Sequence, residues 1–439
     1  MRKQRSPLVR ALSPLRDFLH TEAAGGVLLV GASVAALVWA NSPWSGSYDS
    51  LWSSKASIEI AGHGLSLDLR HWVNDALMAI FFLVVGLEIK REVTGGHLAG
   101  RRAAALPIAA AVGGMLIPAG IYLAIAGGTA PKGWGVPMAT DIALAVGVMA
   151  LAGTGVPASL RAFLLGLAVV DDIGAIVVIA VFYSDGVSFS WLGVAGVSLA
   201  LTLVARRAQL YQMPVYLALG AVMWFALHEA GVHPTLAGVV MGLLTPVVAR
   251  HQPDLIDVEE LADLTSIEHA RETMQMAKGS ISTVEWLEHH LHPWTSYLIV
   301  PLFALANAGI EVSTTSLRHA FESPITWAIF AGLVVGKPVG VLLATRIAFR
   351  SGIADRPDDT TTRQFLGAGH AAGIGFTVAI FIAELAFDDP VQIADAKMAI
   401  LVASVLSGVI AYFVLRQRPK SPTAAPTAAV IAATPSAAE

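Results

Sequence analysis

The sequence predicts an all-α polytopic membrane protein with about 12 transmembrane helices, in inverted repeats with two crossed discontinuous helices, plus a small extracytoplasmic β-hairpin. Three observations carry this expectation. Of the 439 residues, 55% are hydrophobic and only 14% charged, at a mean hydropathy of +0.66. A soluble domain carries about 25% charged residues, so this chain has too few to cover a water-facing surface. Apolar stretches of roughly 17 to 25 residues recur along it, each long enough to cross a ~30 Å hydrocarbon core as a helix. Two of these stretches, at matching places in two groups of three, are broken by glycine and proline.

In chain order the spans centre near Leu29, Phe82, Gly113, Leu144, Val170, Val197, Leu219, Met241, Phe303, Leu333, Gly375 and Val405. The basic amino terminus, residues 1–19, is followed by AAGGVLLVGASVAALVWANS, which imitates a secretion signal. Its apolar run exceeds the roughly 7 to 15 residues usual for one, so it reads as the first span. Lys and Arg orient the set, because cytoplasmic loops of multi-span proteins are enriched in them. With the amino terminus inside, the outer segments hold only Lys55, Arg70, Lys132, Arg318 and Lys397; Lys337 lies within a span, and the rest fall on inner segments. Both termini are thus expected in the cytoplasm.

Three non-spanning segments stand out. In the outer loop 44–71, IEIAGHGLSLDL alternates apolar and polar residues around a Gly62-His63-Gly64 turn. That pattern predicts a β-hairpin, whose free edge offers pairing to a second copy, so a homodimer through residues 58–69 is expected. The loop 250–293 is long and acidic and is predicted to hold a cytoplasmic amphipathic helix. From 417 to 439, Pro, Ala, Thr and Ser dominate, and that tail is expected to be disordered. The membrane domain is then 20–416.

Asp171 and Asp172 stand alone in the apolar run LAVVDDIGAIVVIA, midway along a span. An acid there costs at least ~2.5 kcal/mol on insertion scales, and intramembrane acids face a cavity or a partner. A second span, MATDIALAVG, carries Thr140 and Asp141 between Pro137 and Gly147. A third, GAGHAAGIGFTVAIF, holds Gly367, Gly369, Gly373 and Gly375 and no acid, with its break expected at Gly373 and Gly375. These two irregular spans sit at the centres of spans three to five and ten to twelve, groups that the charge bias places in opposite orientation. Crossed half-helices bring like dipole ends together. Asp141 suits the positive ends and Lys337, in GLVVGKPVG, the negative ones.

Together FFLVVGLEIKRE, ATDIALAVG, VVDDIGAI, GVHPTLAG, LHPW, GKPVG and GIGFT, in this order and spacing, resemble the NhaA family of bacterial sodium/proton antiporters, itself a standing example of the inverted-repeat pattern. The resemblance covers roughly Ala23 to Leu415. It implies exchange of Na+, and of Li+, for H+ across the bacterial inner membrane, electrogenic and activated at alkaline pH. Asp172 and Asp171 would be the exchange carboxylates that hold Na+, Thr140 and Asp141 members of the crossed assembly, and Lys337 the embedded lysine beside the acids. Whether Asp141 touches the ion or only offsets dipoles stays open, as does whether Lys337 carries a proton or is structural. Glu88 and Glu92, one helical turn apart, are either a solvated salt-bridged turn or pH-responsive groups, as the family implies for them and for Glu288 and His289. His233 is either an interfacial histidine or a further titrating switch. The loop before LHPW departs from the family, being longer and more acidic, with Glu285 and Trp286 where a basic pair is typical. The pH set point and its sensors therefore stay open.

The mechanism follows from exclusion. A desolvated carboxylate holds a proton or a hard cation, and holding one discourages the other. Oxygen ligands suit Na+. Rival classes lack their motifs. His289, His290 and His292 cluster without H-E-x-x-H, and GLVVGKP misses a phosphate loop in spacing and at Pro338. The sole Tyr-Asp pair, Tyr48 and Asp49, lies outside the membrane, against an aspartyl protease. No cysteine is present, and no basic patch with interleaved aromatics suggests nucleic acid. The reading is a transporter and not an enzyme, without a cofactor, with ions and membrane lipid as partners. The alternative is a sodium-coupled organic-solute symporter of similar broken-helix fold.

Overall fold

The computed structural model describes residues 23–60, 63–96, 98–153, 156–184, 186–208, 210, 212–247 and 282–416. The amino-terminal segment 1–19, most of the loop 250–293 and the tail 417–439 lie outside them. Helix α1 (Ala23–Ala40) turns by 115° into α2 (Ser45–Trp52). Strands β1 (Lys55–Ile60) and β2 (His63–Asp68) form the expected antiparallel hairpin. Its turn is not Gly62-His63-Gly64. Ile60 pairs with His63, and His63 and Gly64 belong to β2, in keeping with the preference of hairpins for two-residue links.

From the hairpin the chain enters α3 (Leu69–Thr94), then α4 (Arg101–Ala126). A 3-10 segment (Pro131–Met138) and α5 (Ile142–Ala152) make the first irregular span, and α6 (Ala158–Phe182) follows. Next come α7 (Phe189–Arg207), α8 (Met213–Glu229) and α9 (Thr235–Leu244). After the undescribed loop, α10 (Thr283–Trp294) and α11 (Val300–Asn307) are joined by a π-helical turn. The short helix α12 (Thr314–Glu322) leads to α13 (Pro324–Arg350). The second irregular span is α14 (Thr362–Ala372) and α15 (Phe376–Ala386), bent by 47° at Gly373 to Gly375, and α16 (Pro390–Arg416) closes the set.

Eleven of the twelve expected span centres fall in one of these helices, and Gly375 falls at the break between α14 and α15. Among the described residues seven helices are long and apolar enough to cross a membrane, nine if each bent pair counts as one. The count falls below 12 because α8 and α9 are short and because the span expected about Phe303 is divided, with only 8 residues in α11. The 10 residues of α9 rise only about 15 Å, half a bilayer core. Glycine lets the helices touch backbone to backbone. A Cβ on Gly238 of α9 would lie 1.9 Å from the Ala79 carbonyl oxygen of α3, and one on Gly340 of α13 would lie 2.2 Å from the Gly113 carbonyl oxygen of α4. Such approaches give van der Waals contact where lipid supplies no hydrophobic drive between helices. The largest core cluster runs through α15, including Phe376, Ile380 and Phe381, so the two broken spans lie at the centre of the molecule.

Candidate ion site at the crossed helices

The two irregular spans cross at their non-helical links. Between the 3-10 segment and α5 the backbone is extended at Ala139 and Asp141, and the Asp141 N–H donates to the Ile374 carbonyl at 2.6 Å. Pro137 has no N–H, and it ends the first half-helix; Gly373 and Gly375 end and reopen the second. Four half-helix ends therefore meet inside the protein, each with unsatisfied backbone groups.

Side chains meet those ends according to charge. Asp141 accepts from Leu144 N at 3.1 Å, at the start of α5, and from Thr377 N (3.2 Å) and Thr377 Oγ1 (2.6 Å), at the start of α15. One buried carboxylate thus faces both positive ends. At the negative ends, the Lys337 ammonium donates to the Met138 carbonyl and the Thr140 hydroxyl lies 2.9 Å from the Ala372 carbonyl. Lys337 is fully buried. It follows a π-helical turn, Gly332–Gly336, and precedes Pro338, whose missing N–H disrupts the regular ladder there.

Asp171 and Asp172 fall near the midpoint of α6, and both are buried. Their surroundings differ. Asp171 Oδ2 accepts from Lys337 Nζ at 2.6 Å and lies 2.7 Å from Thr140 Oγ1. Asp172 is 5% exposed, and among the described residues no hydrogen bond or ion pair reaches it. The charges nearest to it are chiefly acids, Glu88, Asp171 and Asp141, with Lys337 opposing them. Placing a lone carboxylate in such surroundings is costly unless a proton or a cation joins it. The site thus has one acid held by a lysine and one left open.

The residues expected to respond to pH separate into two places. At the carboxy-terminal end of α3, Arg91 pairs with Glu288 of α10 and reaches Glu92 at 3.4 Å. Glu92 and Glu288 are both buried, so a fully solvated turn is not what the chain forms there. Burial pushes the Glu288 carboxyl up from its ordinary value, and the Arg91 guanidinium opposes that rise. Glu88 lies between this network and Asp172, acting on the charges of both. His289 is exposed, and its ring meets His290. His233 is remote from that network, toward the other end of α3, with Nε2 3.7 Å from Asp75 and its ring edge-on to Phe381.

Sequence reasoning passed over Thr377 and Asp75. Thr377 was quoted only as part of GIGFT, since a threonine in an apolar helix signals nothing by itself. Asp75 is buried, with His228 Nδ1 at 3.8 Å on its other oxygen. Its signal was present, because an ionisable residue inside a span is a functional candidate.

The sequence profile of a family described as Na+/H+ antiporter 1 matches residues 16–415. The chain is 47% identical over 428 residues to "Na(+)/H(+) antiporter NhaA" of Oleidesulfovibrio alaskensis, covering 93% of this chain and 95% of that protein. It is 45% identical to "Na(+)/H(+) antiporter NhaA 2" of Sorangium cellulosum (92% and 89% covered) and 43% identical to "Na(+)/H(+) antiporter NhaA 3" of Frankia alni (92% and 88%).

Proposed function

The chain belongs to the NhaA family of Na+/H+ antiporters, and from that premise we propose that Na+ and H+ exchange by competing for Asp172, with Asp171 as the second acid. The observation that carries the proposal is the buried, unpartnered Asp172 carboxylate. Desolvation leaves it two low-energy states, protonated or cation-bound, and each excludes the other. If the site opens to one side of the membrane at a time, exclusion alone couples sodium movement to opposite proton movement.

Asp171 supplies the second half of the cycle. Lys337 holds it in the structure, so a cation that uses both carboxylates must displace the ammonium. Na+ would draw its oxygen ligands from Asp172, Asp171, the Thr140 hydroxyl and carbonyls freed at the broken helices. Displacement of Lys337 offers a second protonation event per cycle, which supports electrogenic exchange with protons exceeding sodium. Asp141, committed to two helix starts, serves the scaffold and not the ion. The same hard-oxygen site extends the proposal to Li+. pH regulation is assigned to Glu88, Glu92, Glu288 and His289 at the inner end of α3, and to His233 beside Asp75. The protein is placed in the bacterial inner membrane with both termini in the cytoplasm, as the Lys and Arg bias supports.

Sodium-driven proton movement in proteoliposomes tests this. Asp172→Asn is expected to abolish exchange while the protein still inserts and keeps the wild-type melting temperature to within a few degrees. Normal exchange in that variant would overturn the assignment.

A further inference from the structure

Away from the crossed helices, a cavity of about 330 Å³ opens between the ends of α13 and α14, on the side that the charge bias assigns to the cytoplasm. Three guanidinium groups line it, from Arg346, Arg350 and Arg356, over a floor of Phe349 and Phe365. No carboxylate lines it. Among the described residues, Arg356 donates to the Thr360 carbonyl at 2.7 Å, whereas Arg346 and Arg350 have no hydrogen bond or ion pair. The acids of the next loop leave the three charges uncompensated. Asp359 accepts from Ser159, and neither Asp355 nor Asp358 forms an ion pair among the described residues.

The placement of basic residues at this membrane face and at a helix carboxy-terminal end accounts for one or two cations. It does not account for three converging on one concavity, with two of them a single turn apart on α13 where like charges repel. An anion between them relieves that repulsion. Guanidinium pairs match the oxygens of a phosphate in bidentate geometry. The surroundings say where the phosphate comes from. Leu343 and Ile347, next to the lining residues Leu342 and Arg346 on α13, are exposed, Ile347 at 65%, so an apolar strip adjoins the cavity along that helix. A free phosphate has no use for that strip; acyl chains do.

We propose that this cavity binds the phosphate headgroup of an anionic phospholipid of the inner leaflet, with Arg346 and Arg350 gripping the phosphate and the tails lying along Leu343 and Ile347. The proposal does not depend on the ion-exchange reading, because none of its residues belongs to the crossed-helix site.

The test uses the full-length protein in detergent, with melting temperature and lipid retention in native mass spectrometry as readouts. Phosphatidylglycerol is expected to raise the melting temperature, and phosphatidylethanolamine to raise it far less. The Arg346→Gln, Arg350→Gln double variant is expected to retain about tenfold less phosphatidylglycerol, while Arg318→Gln, on the opposite face, retains it fully. If the double glutamine variant does not fold, Arg346→Lys with Arg350→Lys keeps the charge and removes the bidentate fork, and intermediate retention is expected. Wild-type retention by whichever double variant folds overturns the proposal. A response to inorganic phosphate equal to that of the lipid overturns its lipid source.

Discussion

Thr140 has one hydroxyl proton and two acceptors within reach, Asp171 Oδ2 at 2.7 Å and the Ala372 carbonyl at 2.9 Å. Both contacts are hydrogen bonds together only when Asp171 is protonated and donates to Thr140. When Asp171 is ionised the hydroxyl must choose, and turning to the carboxylate uncovers the carbonyl end of α14. Proton loss at Asp171 is thereby linked to the end of a broken helix. A second residue-scale link lies at Glu288, whose proton is held more tightly in the folded chain than in the unfolded one because burial outweighs Arg91. With the folded value raised, the folded state binds more protons through that window, so stability falls as pH climbs from the ordinary carboxylate value of about 4.3 through the raised one, and is level on either side. Glu288→Gln removes this loss. Its melting temperature should decline less than that of wild type as the pH rises above the ordinary carboxylate value of about 4.3; parallel curves for the two proteins would refute the assignment.

At the scale of elements, the α4 to α13 contact is the joint on which the site depends, since α13 carries Lys337 and α4 packs on both α6 and the 3-10 segment. Gly340→Ala puts a methyl group 2.2 Å from the Gly113 carbonyl oxygen. The helices must separate, at a cost of about 1 to 3 kcal/mol, and Lys337, one turn earlier, moves with them. The expected result is a lower melting temperature together with weakened exchange. A variant as stable and as active as wild type would show that this contact is not tight. The broken spans were legible in the sequence because proline and glycine in an apolar run mark helix ends, and the opposite charges of Asp141 and Lys337 followed from the dipoles those ends create. The shortness of α9 was legible at its carboxy-terminal end, where Thr245 and Pro246 follow Leu244, but the window of apolar residues centred on Met241 hid it. Hydropathy records what lipid or protein surrounds a segment and not where its helix stops. The hairpin turn was misplaced because Gly62 and Gly64 both satisfy turn chemistry, and only strand pairing chooses between them.

Across the whole molecule, the hairpin is the one sheet among the described residues, and it is built to stay in place. The Trp72 indole donates to the Ala56 carbonyl at 2.9 Å, and Leu69 N donates to Ser54 O at 3.0 Å, so the open end of the hairpin is tied to the start of α3. A two-stranded sheet fixed at the membrane surface leaves an unpaired row of backbone donors and acceptors on each outer edge, and such edges pair with another chain unless blocked. We propose a second copy as its partner: it would match the hairpin in register and share the same membrane, and a two-fold axis would set like edges antiparallel. The absence of cysteine makes this directly testable. Ser57 and Ser66 face each other across the hairpin and are exposed, so Ser57→Cys and Ser66→Cys each place a lone thiol near one free edge. Mild oxidation of native membranes should yield a disulfide-linked dimer with one of the two variants, reversed by reductant. If neither cross-links, while both exchange ions normally, the hairpin does not join two copies.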